Sequence, residues 1–330
     1  MSRGRWVAGL SLVVAVGLVG GGCFTAAMVE TVMTRPVRGG GLVGVLATPG
    51  GTGPAPGVLL LGGGEGGLRE RDAEILAAEG FTVLALAYFG MPGLPGGVVD
   101  VPVEYFSRGL DVLSGEPRAG DRFGVTGGSR GGEAALLVGA HDGRVGAVVS
   151  VVGSGVLTPG VDYSRGALLD ILTDAPAAWT VRGRRLPYLQ HVIPDEMRDR
   201  IERGQPVRLS SAFPPPPDDP AELDAVSIRV ERIKGAVLLL SASDDGGLPS
   251  AAYSQIALDR LSTANHRYPY AHRVFDAGHS ITGPPGETIV STTSPGPGGT
   301  FEQGGTPAAN TAARAQAWQA TVEFLAQNLR

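Results

Sequence analysis

From Thr31 onward, short apolar runs alternate with longer stretches whose apolar residues recur every three or four positions. Residues 42–47 (LVGVLA) and 58–61 (VLLL) are runs of the first kind, and the Gly/Pro-rich TPGGTGPAPG between them reads as a hairpin connection. Residues 69–79 have helical spacing in Ile75, Leu76 and Ala78 and stop at Gly80, a residue suited to a left-handed cap. The next run, FTVLALA at 81–87, is apolar on both faces, which predicts a strand inside a parallel sheet. The same reading predicts helices over 105–113, 132–140, 250–261 and 312–328. It predicts strands over 123–125, 145–152, 236–240 and 272–275.

Strand alternating with helix in this way implies an α/β fold: a mostly parallel central sheet flanked by helices, in one domain over 31–330. Residues 155–232 interrupt the alternation with helix-like pieces at 164–172 and 194–203, a basic RGRR at 182–185 and the run FPPPP at 213–217. Because this stretch falls between two predicted core strands, it is read as a lid inserted over the carboxyl ends of the strands.

The 330 residues are 43% hydrophobic and 18% charged, enough apolar material for a sizeable core. Glycine (52) and proline (25) follow no collagen-like period and mark tight turns between short elements. The formal net charge of -5 argues against a nucleic-acid partner. Residues 1–22 differ in kind, with Arg3 and Arg5 ahead of an apolar run from Trp6 to Val19, the layout of a signal peptide. Cys23, the only cysteine, stands where a lipoprotein signal places the lipidated first mature residue. The expectation is an exported, membrane-anchored protein, with an uncleaved anchor or a cytoplasmic chain as alternatives.

The candidate chemistry begins at GVTGGSRGGE, residues 124–133, where Ser129 lies between a predicted strand and a predicted helix. In Gly127-Gly128-Ser129-Arg130-Gly131 the outer glycines relieve crowding on a sharp turn that projects the serine hydroxyl, the layout of a nucleophile elbow. A serine needs a base to take its proton, and the base needs a third group to orient it. His279 lies in DAGHS after the last predicted strand, and Asp244 and Asp245 follow the strand at 236–240. The chain order Ser, Asp, His is the one expected on this fold, and it leaves the two aspartates open. The glycine-rich GGGEGG at 62–67 offers N–H donors for an oxyanion, with Gly64 the choice within it and the Arg130 N–H as the second donor. That segment also fits a dinucleotide-binding pattern, but the next strand ends LALAY with no acidic residue to hold a ribose.

The runs LLLGGGEGGLRERDAEILAAEGFTVLALAYFG, VPVEYF, GGSRGGEAALLVGAHD, VERIKGAVLLLSASDD and AGHSITGPP resemble the catalytic domain of acyl-CoA thioesterases and bile acid-CoA:amino acid N-acyltransferases. This resemblance implies an α/β-hydrolase fold and attack on an acyl thioester by a triad of Ser129, Asp245 and His279. It selects Asp245 because the related aspartates stand three residues after a glycine that aligns with Ala242. With serine where the N-acyltransferases use cysteine, water is the expected acceptor. No metal or organic cofactor is implied. If coenzyme A is the leaving group, Arg182, Arg184 and Arg185 are candidate phosphate contacts; otherwise RGRR is a solvated basic turn. The rival readings are an exported carboxylesterase or dienelactone-hydrolase-like enzyme, and a lipid-anchored binding protein without turnover.

Overall fold

The computed structural model describes residues 31–286 and 288–329, so the signal-like segment and Cys23 lie outside the described residues. An eight-stranded sheet forms the centre, made of β1 (Met33–Gly39), β2 (Leu42–Thr48), β3 (Gly57–Leu61), β4 (Thr82–Ala87), β5 (Phe123–Gly128), β6 (Val145–Val151), β7 (Ala236–Ala242) and β8 (Tyr270–Phe275). In space these run β1-β2-β4-β3-β5-β6-β7-β8, with β1, β2 and β4 paired antiparallel and every pair from β4–β3 onward parallel.

Alternation along each strand feeds two cores. Leu59, Leu61, Leu84, Leu86 and Leu239 point to one face, where helices α2 (Glu104–Ser114) and α3 (Arg130–His141) cover them. Val58, Leu60, Val83, Ala85 and Leu238 point to the other, under α1 (Glu70–Ala78) and the C-terminal helix α5 (Pro307–Leu329). A further helix, α4 (Ser250–Thr263), flanks β7 and β8. Helix α1 is followed by Gly80 at φ 94°, a conformation open to glycine without a Cβ penalty.

The expected hairpin between 42–47 and 58–61 does not form. β4 lies between β2 and β3, and β3 pairs parallel with β4 and β5. All five residues of β3 are buried, and the strand sits inside the sheet with helices over both faces instead of beside β2 at a hairpin edge. The hairpin in this region is β1–β2, closed through Gly40 and Gly41 at φ 58° and 78°, and the sequence reading had no strand at β1.

Candidate active site

The parallel strands end on one side of the sheet, and their next residues build the site. β5 ends at Gly128 and α3 begins at Arg130, so the chain reverses within one residue and Ser129 adopts φ 54°, ψ -120°. A non-glycine residue in that region stores roughly 1–3 kcal/mol of backbone strain. The turn is held by the Ser129 N–H donating to the Val151 carbonyl (2.8 Å) and the Ser129 carbonyl accepting from the Gly132 N–H (2.9 Å). The flanking glycines are needed for close approach. A Cβ on Gly127 would lie 2.5 Å from the Gly131 carbonyl oxygen, and one on Gly131 would lie 2.5 Å from that of Gly62.

His279 follows β8, and its Nδ1–H donates to Asp245 Oδ1 at 2.7 Å. The ring lies over Gly247, where any Cβ would fall 2.7 Å from it. Asp245 is 6% exposed and has no conformational choice: Oδ1 also accepts from the Gly247 and Leu248 N–H groups (2.9 and 3.0 Å), and Oδ2 accepts from Ser250 Oγ (2.6 Å). Asp244 faces elsewhere, accepting from the Gly305 N–H (2.7 Å) and from Arg208 (2.9 Å), and these contacts hold its carboxyl below the usual range. Burial works against a protonated His279, but the charge and hydrogen bond of Asp245, with Glu65 adding to them, leave its pKa above the ordinary histidine value. Since Nδ1 is engaged, Nε2 is the nitrogen available for proton transfer.

Ser129, Arg130, His279, Gly63 and Gly64 line one cavity of about 450 Å³. Within the glycine loop, a Cβ on Gly63 would stand 3.3 Å from the Gly128 carbonyl, beside the elbow, whereas Gly64 turns its carbonyl to the Tyr163 hydroxyl. The Arg130 N–H opens α3 and has no intrahelical acceptor by position. Its guanidinium is engaged by Glu133 (3.1 Å) and the Pro159 carbonyl (2.7 Å), to which it donates. Glu133, 2% exposed, also accepts from Thr158 Oγ1 (2.5 Å) and Trp179 Nε1 (2.6 Å). This buried cluster ties the start of α3 to residues 155–232, the stretch read from the sequence as a lid.

That segment supplies Tyr163, Leu168, Ile171, Leu172, His191 and Phe213 to the cavity wall. Its Leu168 and Leu172 pack with Met197, Val207 and Phe301. His191 is half-buried, desolvation lowers its pKa to about 4, and its Nδ1–H donates to the Leu172 carbonyl (3.3 Å). The three arginines of RGRR lie outside the cavity lining. Arg182 and Gly183, at φ 50° and 72°, form the tip of a small hairpin joining Trp179–Val181 to Arg184–Arg185, and Arg185 is held by Asp100 through two hydrogen bonds (2.8 and 2.6 Å). Sequence reading overlooked Glu65, Glu133 and Ser250; the one available signal was a charged residue inside a glycine loop, at Glu65. Among the described residues no cluster of His, Cys, Asp and Glu is arranged to hold a metal.

The profile of the BAAT / acyl-CoA thioester hydrolase C-terminal family matches residues 101–330. The chain belongs to this family. Family relatives include human acyl-coenzyme A thioesterase 6, 28% identical over 306 residues (90% of this chain, 66% of that protein), and human mitochondrial acyl-coenzyme A thioesterase 2, 30% identical over 300 residues (90% and 57%). Rat acyl-coenzyme A amino acid N-acyltransferase 2 is 28% identical over 301 residues (90% and 66%). The chain thus spans about two thirds or less of the length of these three relatives. Among solved structures, a putative dienelactone hydrolase from Klebsiella pneumoniae superposes with a TM-score of 0.52 at 16% identity (90% of this chain, 100% of that one). The acylaminoacyl peptidase of Pyrococcus horikoshii does so with 0.55 at 16% (92% and 42%). The fold is therefore that of the α/β-hydrolases, as the sequence implied.

Proposed function

We propose that this family member is a serine hydrolase that cleaves acyl thioesters through an acyl-enzyme. The observation that carries the reading is the Asp245–His279 hydrogen bond of 2.7 Å, from a histidine that shares a cavity with a serine on a strained strand-to-helix turn. Ser129 Oγ attacks the acyl carbonyl while His279 Nε2 takes its proton, and Asp245 stabilises the imidazolium. The oxyanion is held by the Arg130 N–H and an N–H of the Gly63–Gly64 turn. Collapse breaks the carbon–sulfur bond and His279 returns the proton to the departing thiolate. Water then attacks the acyl-enzyme with His279 as base, releasing the carboxylic acid and restoring Ser129. The apolar wall of Leu168, Ile171, Leu172 and Phe213 suits an acyl chain.

A fluorophosphonate probe tests the nucleophile: it should label Ser129, and a wild-type chain that does not react would leave the binding-protein reading in place. Comparing kcat/KM for an acyl-CoA and for a p-nitrophenyl ester of the same chain length decides the leaving group. An exported form with a lipid on Cys23 would meet oxygen esters rather than acyl-CoA, so the mass of the mature N-terminus bears on the same choice.

A further inference from the structure

Glu65 takes up no proton and forms no bond in that reaction, although its charge helps raise the His279 pKa, and its carboxylate lies across the oxyanion loop. Its Oε1 accepts from the Gly63 N–H (3.3 Å), and a Cβ on Gly63 would come 2.6 Å from Oε2. The carboxylate is held from its other side by Arg69, whose Nη1 donates to Oε1 (3.0 Å) while Nε donates to Asp72 (2.7 Å). The loop backbone beneath is pinned: Gly66 and Gly67 have φ 70° and 77°, and a Cβ on Gly66 would strike the Phe89 ring at 2.7 Å. The Glu65 side chain is 56% exposed, so it can move where the backbone cannot.

Donors arranged for an oxyanion are also good ligands for a carboxylate, and the reaction above ends with a carboxylate in the site. Building on that hydrolase reading, we propose that Glu65 is a specificity-determining residue that keeps carboxylates out of the oxyanion cleft, so that acid product leaves and free acids do not compete with neutral acyl substrate. A neutral carbonyl displaces Glu65 by exchanging one acceptor for another at the Gly63 N–H, and Arg69, anchored on Asp72, receives the displaced carboxylate. The displacement is required, because a carboxylate left in place would oppose the developing oxyanion. An incoming acid must instead approach a resident anion whose arginine is already satisfied.

The test is the inhibition of p-nitrophenyl hexanoate hydrolysis by hexanoate and by its neutral analogue hexanamide, in the full chain and in Glu65→Gln. Glu65→Ser serves as a second charge-removing variant should the first fold poorly. Removing a like charge a few ångströms from the bound acid should lower the hexanoate inhibition constant by about tenfold or more, with hexanamide changed by less than about twofold. An unchanged hexanoate constant, or equal tightening of both compounds, overturns the proposal, the second because it marks a steric cover instead of a charge. The outcomes separate from those of the parent reading: wild-type chain that fails to label with the fluorophosphonate sinks both, whereas labelled Ser129 with an unaltered hexanoate constant sinks this one alone.

Discussion

Replacing Asp245 by Asn removes the charge that the proposed triad depends on. Oδ1 accepts three N–H groups, from Gly247, Leu248 and His279, and Oδ2 meets one hydroxyl, Ser250. An asparagine therefore keeps its carbonyl oxygen at the Oδ1 position and turns its NH₂ toward Ser250 Oγ, an atom able to accept. The His279 tautomer survives, and what is lost is the charge together with the acceptor of the buried Ser250 hydroxyl. With charge centres about 4 Å apart near the protein surface the interaction with an imidazolium is about 4 kcal/mol. At about 1.4 kcal/mol per tenfold, that is on the order of 10³ in rate. Steady-state kcat/KM on a p-nitrophenyl ester, with thermal melts to verify folding, measures it. Asp244→Asn loses an exposed ion pair to Arg208 and should cost less than about tenfold. An Asp245→Asn enzyme within tenfold of wild type, or a larger loss from Asp244→Asn, would refute the assignment.

Ser129→Ala should retain the fold and lose on the order of 10⁴ to 10⁶ in rate, checked by turnover together with circular dichroism. Because burial is outweighed by Asp245 and the His279 pKa is raised, kcat/KM should rise with pH through a midpoint above the ordinary value near 6.5, and Asp245→Asn should move that midpoint down; a midpoint that ignores the substitution counts against His279 as the base. Gly131→Ala places a Cβ 2.5 Å from the Gly62 carbonyl oxygen, backbone that cannot turn aside, and should lower the melting temperature as overpacking by about 1–3 kcal/mol does. Changing Arg182, Arg184 and Arg185 to Gln should affect KM for acyl-CoA and for a p-nitrophenyl ester alike, as Arg185 is already held by Asp100 and none of the three lines the cavity; a rise confined to acyl-CoA would restore the phosphate clamp.

The sequence by itself determined the features that depend on neighbours along the chain. The period of apolar residues set which stretches are strands and which are helices, and FTVLALA is legible as a core strand because both its faces are apolar. The elbow is legible because strand, glycines, serine and helix are contiguous, so their crowding is a local problem with a local solution. What only the tertiary structure decided are the relations between distant segments. β4 enters between β2 and β3, a crossover that adjacency in sequence does not reveal. From residues alone the two aspartates were equivalent; the Gly247 and Leu248 N–H groups turn Asp245 to His279, while Gly305 and Arg208, over sixty and thirty-six residues away, turn Asp244 outward. Likewise Glu133 becomes a tie to residues 155–232 only when Thr158 and Trp179, twenty-five and forty-six residues away, fold down over α3. Hydrogen bonds of this kind close long loops, and their partners are chosen by where the packed sheet leaves the chain ends, information that no short window of sequence contains.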